Sequence, residues 1–202
     1  MWRRTIAAAL VASWVGVARA DDPKPQAPSP YVAPEGDALL VFVRPRKRLA
    51  EDVLYSVVNA RGECIGVLGN DWKVTAAIRP GTQTLMVVSG VAQPQVQLLQ
   101  VQATKGHTYV VTMRPRVNRK SPVDLTVLRR RDQPLKAFPA AILDTNPFRS
   151  DLGDCTAWVA AKRERLTSKA EAAKEQWSVD PEVRSAQTVR ANDGWPAKEV
   201  LP

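Results

Sequence analysis

Histidine and cysteine are almost absent from this 202-residue chain, which holds one His and two Cys. A four-ligand zinc site draws on more of both, and nucleophilic catalysis with a histidine base would rest on His107 alone. Aromatic residues amount to 6%, too few for an interleaved base-stacking surface. After residue 20 no stretch approaches the roughly 20 apolar residues a membrane-spanning helix needs. No HExxH, CxxC, GxSxG or phosphate-loop pattern occurs. What is present is an ordinary globular composition, 45% hydrophobic and 24% charged. The length suits one domain with appendages.

Residues 1–20 have the grammar of a signal peptide. Arg3 and Arg4 precede an apolar run from Thr5 to Ala18, and Ala18-Arg19-Ala20 places small residues before Asp21. An uncleaved anchor is the alternative, but a 14-residue run is short for a bilayer. The flanks of Arg3-Arg4 match a twin-arginine signal poorly, so the ordinary secretory route is expected. No Cys follows the cleavage site to take an acyl chain. The mature protein is therefore expected to be soluble, periplasmic or secreted, with no transmembrane span.

Residues 21–36 contain five prolines and read as an extended linker. From 37 to 131 the pattern becomes period two, in short runs separated by turn residues. Ala38–Arg44 is a buried strand, and runs 53–59 and 63–68 flank an Ala60-Arg61-Gly62 hairpin turn. Trp72, Val74, Ala76 and Ile78 alternate with more solvated positions, and Pro80-Gly81 turns into Thr82–Val88. Apolar positions in Gln95–Ala103 change phase midway, which predicts a bulge. Lys105-Gly106 leads into His107–Met113, and Val123, Leu125 and Val127 mark a last strand. No helical stretch separates these runs. The expected fold is mainly β, an antiparallel β-sandwich of about 7–8 strands.

Residues 132–153 read as an irregular connection. Residues 154–178 form an amphipathic C-terminal helix capped by Asp154, with Cys155, Trp158, Val159, Leu166, Ala170, Ala173 and Trp177 near one stripe. The opposite face is densely charged. Residues 179–202 are polar, broken by Pro181, Gly194 and Pro196, and are expected to be a flexible tail.

The order of turns and strands between Ala38 and Pro115 resembles a family of uncharacterised bacterial secreted and lipoprotein β-domains, close to the PEGA-type envelope sandwich. The resemblance rests on Val43-Arg44-Pro45, Asn59-Ala60-Arg61-Gly62, Ile65-Gly66-Val67-Leu68, Ile78-Arg79-Pro80-Gly81 and Lys105-Gly106-His107. It implies an envelope β-sandwich and no catalytic residues. Members are often lipoproteins, and this chain lacks the acylated Cys.

In an oxidising compartment Cys64 and Cys155 are expected to form one disulfide, closing a 91-residue loop. Two separate buried thiols are the alternative. His107 follows a turn glycine and reads as structural.

The net charge of +9 comes from 29 Lys+Arg against 20 Asp+Glu, and it is unevenly spread. Residues 37–131 carry 15 basic and 6 acidic side chains, whereas residues from 132 onward carry 10 and 11. The basic residues form three groups: Arg44, Arg46, Lys47 and Arg48; Arg114, Arg116, Arg119 and Lys120; and Arg129, Arg130 and Arg131. Outside the cytoplasm such groups suit anionic lipid head groups or an acidic envelope polymer. Well-solvated loops are the plainer reading, and the export signal argues against nucleic acid. The expected function is therefore a non-enzymatic exported envelope protein, a binding or structural module without cofactor or metal. Alternatives are a subunit of a larger envelope complex docking through its helix and Trp158/Trp177, and a secreted hydrolase whose site is built from scattered carboxylates and His107.

Overall fold

A computed structural model describes residues 31–46, 52–90, 93–115, 123–133, 142, 146–147 and 152–200. Residues 1–20, where a signal peptide is expected, residues 21–30 of the expected linker and most of the 132–153 connection lie outside the described residues.

Eight main strands follow the alternating runs: β1 (Ala38–Arg44), β2 (Tyr55–Val58), β3 (Cys64–Leu68), β4 (Trp72–Ile78), β5 (Gly81–Ser89), β6 (Gln95–Ala103), β7 (His107–Pro115) and β8 (Val123–Leu128). Two-residue strands follow at β9 (Asn146–Pro147), β10 (Thr188–Val189) and β11 (Trp195–Pro196). One sheet runs β11-β7-β1-β4-β9, with β8 also on β7, and the other runs β10-β6-β5-β2-β3. Their inner faces share a core that includes Leu40, Phe42, Val57, Leu85, Leu99, Tyr109 and Val111. This is a sandwich, and mainly β, as the alternation requires.

The sheets are mixed rather than wholly antiparallel. β1 pairs with β7 in parallel (Leu39 opposite Thr108 through Val43 opposite Thr112), and on its other side with β4 antiparallel. β1 is thus flanked on both edges and buried along its whole length. A strand covered on both faces carries a continuous apolar run, as ALLVFV does.

The phase change in β6 has a different cause from the expected bulge. β6 pairs with β5 residue for residue from Gly81–Ala103 to Ser89–Gln95, without a register shift. Leu99 and Val101 face the inter-sheet core, while Leu98 faces outward under a helix with Ala170 and Trp177. Apolar residues on both faces break the alternation because both faces are covered. The shift that does occur lies in β2–β3, between Val57 and Val58.

Instead of one helix over 154–178 there are two, α1 (Leu152–Ala161) and α2 (Arg163–Val179), separated at Lys162, whose backbone leaves helical geometry (φ −110, ψ 13). Asp154 sits inside the first turn of α1 rather than capping it. The apolar stripe packs as its spacing demands, with Val159 and Leu166 against Val58 and Val88, and Ala170 and Trp177 against Leu98.

Residues 179–200 are not a flexible tail. Asp180 caps α3 (Pro181–Ala186), accepting hydrogen bonds from the Glu182 and Val183 amides, with Pro181 in the first turn. β10 adds to β6 and β11 to β7, after which α4 (Ala197–Val200) closes the described chain. This strap therefore touches both sheets. Trp195 is fully buried beside Val41, Val110 and Ile142 on the outer face of the first sheet. Burial of that indole is what a polar, Pro- and Gly-punctuated segment conceals in a local reading. The described end of the linker is also docked: Tyr31 is buried, its carbonyl accepts from the Thr108 hydroxyl at 2.6 Å, and the Lys73 ammonium lies 5.5 Å from its ring centroid.

Between β3 and β4 the chain crosses from one sheet to the other through Gly69, Asn70 and Asp71. A Cβ on Gly66 would sit 2.9 Å from Val74 Cγ1. Gly66→Ala is therefore expected to destabilise by about 1–3 kcal/mol through overpacking, read as a lower urea midpoint at unchanged slope.

Candidate functional site

Of the three basic groups, only part reaches solvent. Arg44 ends β1 fully buried; its guanidinium donates to the Val53 carbonyl and lies 5.0 Å from the Tyr55 ring centroid. Burial pulls its pKa below the ordinary guanidinium value, against a smaller opposing effect of Tyr55. The Tyr55 phenol is pushed up by burial in turn. Arg44 clamps the base of the 45–54 loop and offers no charge to a partner.

The third group is also largely committed within the fold. Arg129 pairs at 3.5 Å with Asp193, whose carboxylate is wholly buried and accepts from the Arg190 amide at 2.8 Å. Arg130 holds Glu199 with two bonds, Nε to Oε2 at 2.5 Å and Nη2 to Oε1 at 2.8 Å, which raises its pKa. Its own amide donates to the Asp193 carbonyl. Arg131 is exposed, 3.6 Å from Asp132. The strap thus supplies the counter-charges for two of these three arginines. Basic residues clustered in sequence looked like one surface because their acidic partners lie more than sixty positions away.

Arg46 and Arg114 are exposed. Lys47, Arg48, Arg116, Arg119 and Lys120 lie outside the described residues. The strands leading into these loops end side by side, because the parallel β1–β7 pairing brings Val43 opposite Thr112 and points both chains the same way. The start of β8 lies there too, with Val123 opposite Pro115. Leu54, at the far side of the 45–54 loop, is 46% exposed.

The disulfide is formed: Cys64 and Cys155 are bonded, with Cα atoms 5.9 Å apart. Beside it the Cys64 amide donates to Thr156 Oγ1 at 3.1 Å. The bond and this capping contact fix α1 over β3, and such a cross-link is compatible with an oxidising, exported location.

His107 opens β7 half-buried, its Nδ1 3.1 Å from the Lys105 carbonyl and its ring 6.4 Å from that of Tyr109. Its backbone amide donates to the Thr104 carbonyl at 3.2 Å. No group of three or more His, Cys, Asp and Glu side chains converges on a metal-binding point among the described residues. Trp177 does not present a docking face, since it is buried and its Nε1 donates to Gln187 Oε1 at 2.6 Å. Trp158 packs half-buried beside the disulfide. No helix among the described residues is long and apolar enough to cross a membrane.

Two clefts open at the sides of the sandwich. One of about 210 Å3 lies under α2 and α3 between the edges of β6 and β8. The other, about 700 Å3, lies between β3 and β4 at the end opposite the basic loops. On its rim Asn59 organises the hairpin turn: its Oδ1 accepts from the Arg61 and Glu63 amides, and its Nδ2 donates to Glu63 Oε2. Glu63 also pairs with Arg61 at 2.7 Å. The hydrogen bond from Asn59, more than the Arg61 charge, holds the Glu63 carboxyl below its ordinary pKa.

No protein-family model matches the chain, and no curated protein matches it.

Proposed function

We propose that the protein is an exported, non-enzymatic envelope β-sandwich whose basic loops at one end hold an anionic envelope component. The observation that supports this reading is the parallel β1–β7 pairing. It ends two strands together, and the sequence carries Arg46, Lys47 and Arg48 after the first, and Arg114, Arg116, Arg119 and Lys120 within and after the second. Acidic residues in these connections and at their margins are fewer: Glu51, Asp52 and Asp124. A concentrated positive end attracts phosphate or carboxylate surfaces at long range and loses that attraction as salt rises. The signal-peptide pattern, the disulfide and the likeness to PEGA-type envelope domains support an extracytoplasmic site of action.

The test compares binding of the purified protein to phosphatidylglycerol vesicles, neutral phosphatidylcholine vesicles and soluble polyphosphate. Binding to an anionic probe is expected, falling with salt, and Arg46→Glu combined with Arg114→Glu should weaken it by at least about tenfold. Arg130→Glu is the control. Its partner is Glu199 rather than an outside anion, so it should leave binding within about twofold while loosening the strap. Equal binding to neutral vesicles, or a larger loss from Arg130→Glu than from the pair, would sink the reading.

A further inference from the structure

The smaller cleft, about 210 Å3, lies where α3 leaves α2 and turns into β10, against β6 and β8. One of its walls carries a glutamine on a core-facing position. Leu99 and Val101 of β6 face the inter-sheet core, and Gln97 shares their face two residues earlier. Gln97 is more than nine-tenths buried and lines the cleft. A carboxamide on such a face requires polar surroundings, and the cleft is where they are found.

Gln187, also on the lining, is held in one orientation. An indole Nε1 can only donate, so the atom that Trp177 meets at 2.6 Å is the Gln187 side-chain oxygen. The Nε2 group is therefore turned away from Trp177. The backbone of Gln187 is engaged as well, its amide donating to the Val183 carbonyl and its carbonyl accepting from Gln100. Among the described residues Nε2 has no acceptor, so it is a donor set in place by a contact that does not use it. Gln176, exposed on α2, brings a third carboxamide to the same cleft.

The rest of the lining narrows the ligand. Val96, Ala173 and Val183 are half-buried and present aliphatic surface. Asp124 carries the one charge on the described lining, and a negative group there disfavours an anion. No aromatic side chain is on that lining to stack a flat aromatic ligand. Carboxamides both donate and accept, which matches hydroxyl groups. The volume is below the about 300–1,000 Å3 of drug-sized sites. It equals about seven waters at roughly 30 Å3 each, which is room for one six-membered ring.

We propose that this cleft binds one neutral sugar ring: Gln187 Nε2 donates to a ring hydroxyl, the Gln97 and Gln176 carboxamides meet its other hydroxyls, and the C–H face of the ring lies on Val96 and Val183. The hydroxyls take the place of water on these groups and keep its hydrogen bonds, while the aliphatic contacts supply the gain over water. The ring belongs either to a free sugar or to the end unit of an envelope polysaccharide. The site does not depend on what the basic loops bind.

The test is saturation-transfer NMR of the full chain with methyl glucoside. Saturable binding is expected, with a dissociation constant of roughly 1 mM for a ligand of this size. Glucuronate, the same ring with a carboxylate, should bind at least about tenfold more weakly because of Asp124. Gln187→Glu keeps an oxygen for Trp177 and removes the Nε2 donor, so it should weaken the glucoside by about fivefold or more at an unchanged urea midpoint. Ala173→Leu fills the cleft from α2 and should abolish binding. Methyl maltoside separates the two sources: binding equal to the glucoside assigns a chain end, and loss of binding assigns a free sugar. The proposal falls if the glucoside gives no saturable transfer, if glucuronate binds as well, or if Gln187→Glu and Ala173→Leu both leave binding as it was.

Discussion

Replacing Cys64 and Cys155 together by serine is expected to lower the unfolding free energy by about 4–5 kcal/mol. The bond joins positions 91 residues apart, and releasing a loop of that length returns about this much chain entropy to the unfolded state. The total stability of a domain this size is typically about 5–15 kcal/mol, so the loss is a large share of it. The folded state gives little of this back. α1 remains seated by Val159 and by Leu166 at the start of α2, packed on Val58 and Val88, and the Thr156 contact to Cys64 does not need the sulfur. The double variant should therefore fold to the same structure with a much lower urea midpoint. A loss under about 1 kcal/mol would mean that the reduced unfolded chain is nearly as constrained as the bonded one. A wild-type sample in reductant should follow the double variant, which separates the bond from the serine side chains.

Trp195→Ala is expected to cost about 3–5 kcal/mol, the range for deleting a fully buried large aromatic. Trp195 has no exposed surface and packs on Val41 and Val110, the middle of the two paired central strands, with Ile142 and Val200 around it. Its backbone pairs with Thr108. Gly194 is needed beside it, because a Cβ there would meet the Tyr109 ring at 2.6 Å. The same Tyr109 donates its hydroxyl to the Ala191 carbonyl at 3.0 Å. Removing the indole leaves the strap held by short strand pairings and by the Arg129–Asp193 and Arg130–Glu199 ion pairs, of which the second is partly solvent-exposed. Limited proteolysis should then cut between residues 180 and 200 well before the rest of the domain. If the variant keeps both its midpoint and its protease resistance, the strap is an ornament and the wild-type packing carries no stability.

Much of the architecture was readable residue by residue. Alternation located the eight main strands, since a half-buried strand must present apolar side chains every second residue. The 3.6-residue stripe from Cys155 to Trp177 located the helices that cover the second sheet. Turn glycines marked the corners where positive φ is required, as at Gly62 and Gly106. The strap was not readable in this way: Asp180 caps α3, but the polar, Pro- and Gly-broken run from 179 onward has no apolar period to mark where it docks.

The candidate site was less readable, for one reason. Whether a charged residue faces solvent depends on what lies across from it. Arg44, Arg46 and Arg48 look alike in sequence, yet Arg44 is sealed between sheets against Tyr55 and Arg46 is exposed. Arg129 and Arg130 look like the same patch continued, yet Asp193 and Glu199 return from the far end of the chain to meet them. By itself the sequence determined the β class, the positions of the main strands and of the helical stripe, and the availability of a cysteine pair, because each follows from local periodicity or composition. The tertiary structure alone decided that β1 and β7 run parallel, that residues 181–200 lace the two sheets together, and which arginines are held inside the fold and which are exposed. Those are pairings between distant segments, and no local pattern encodes them.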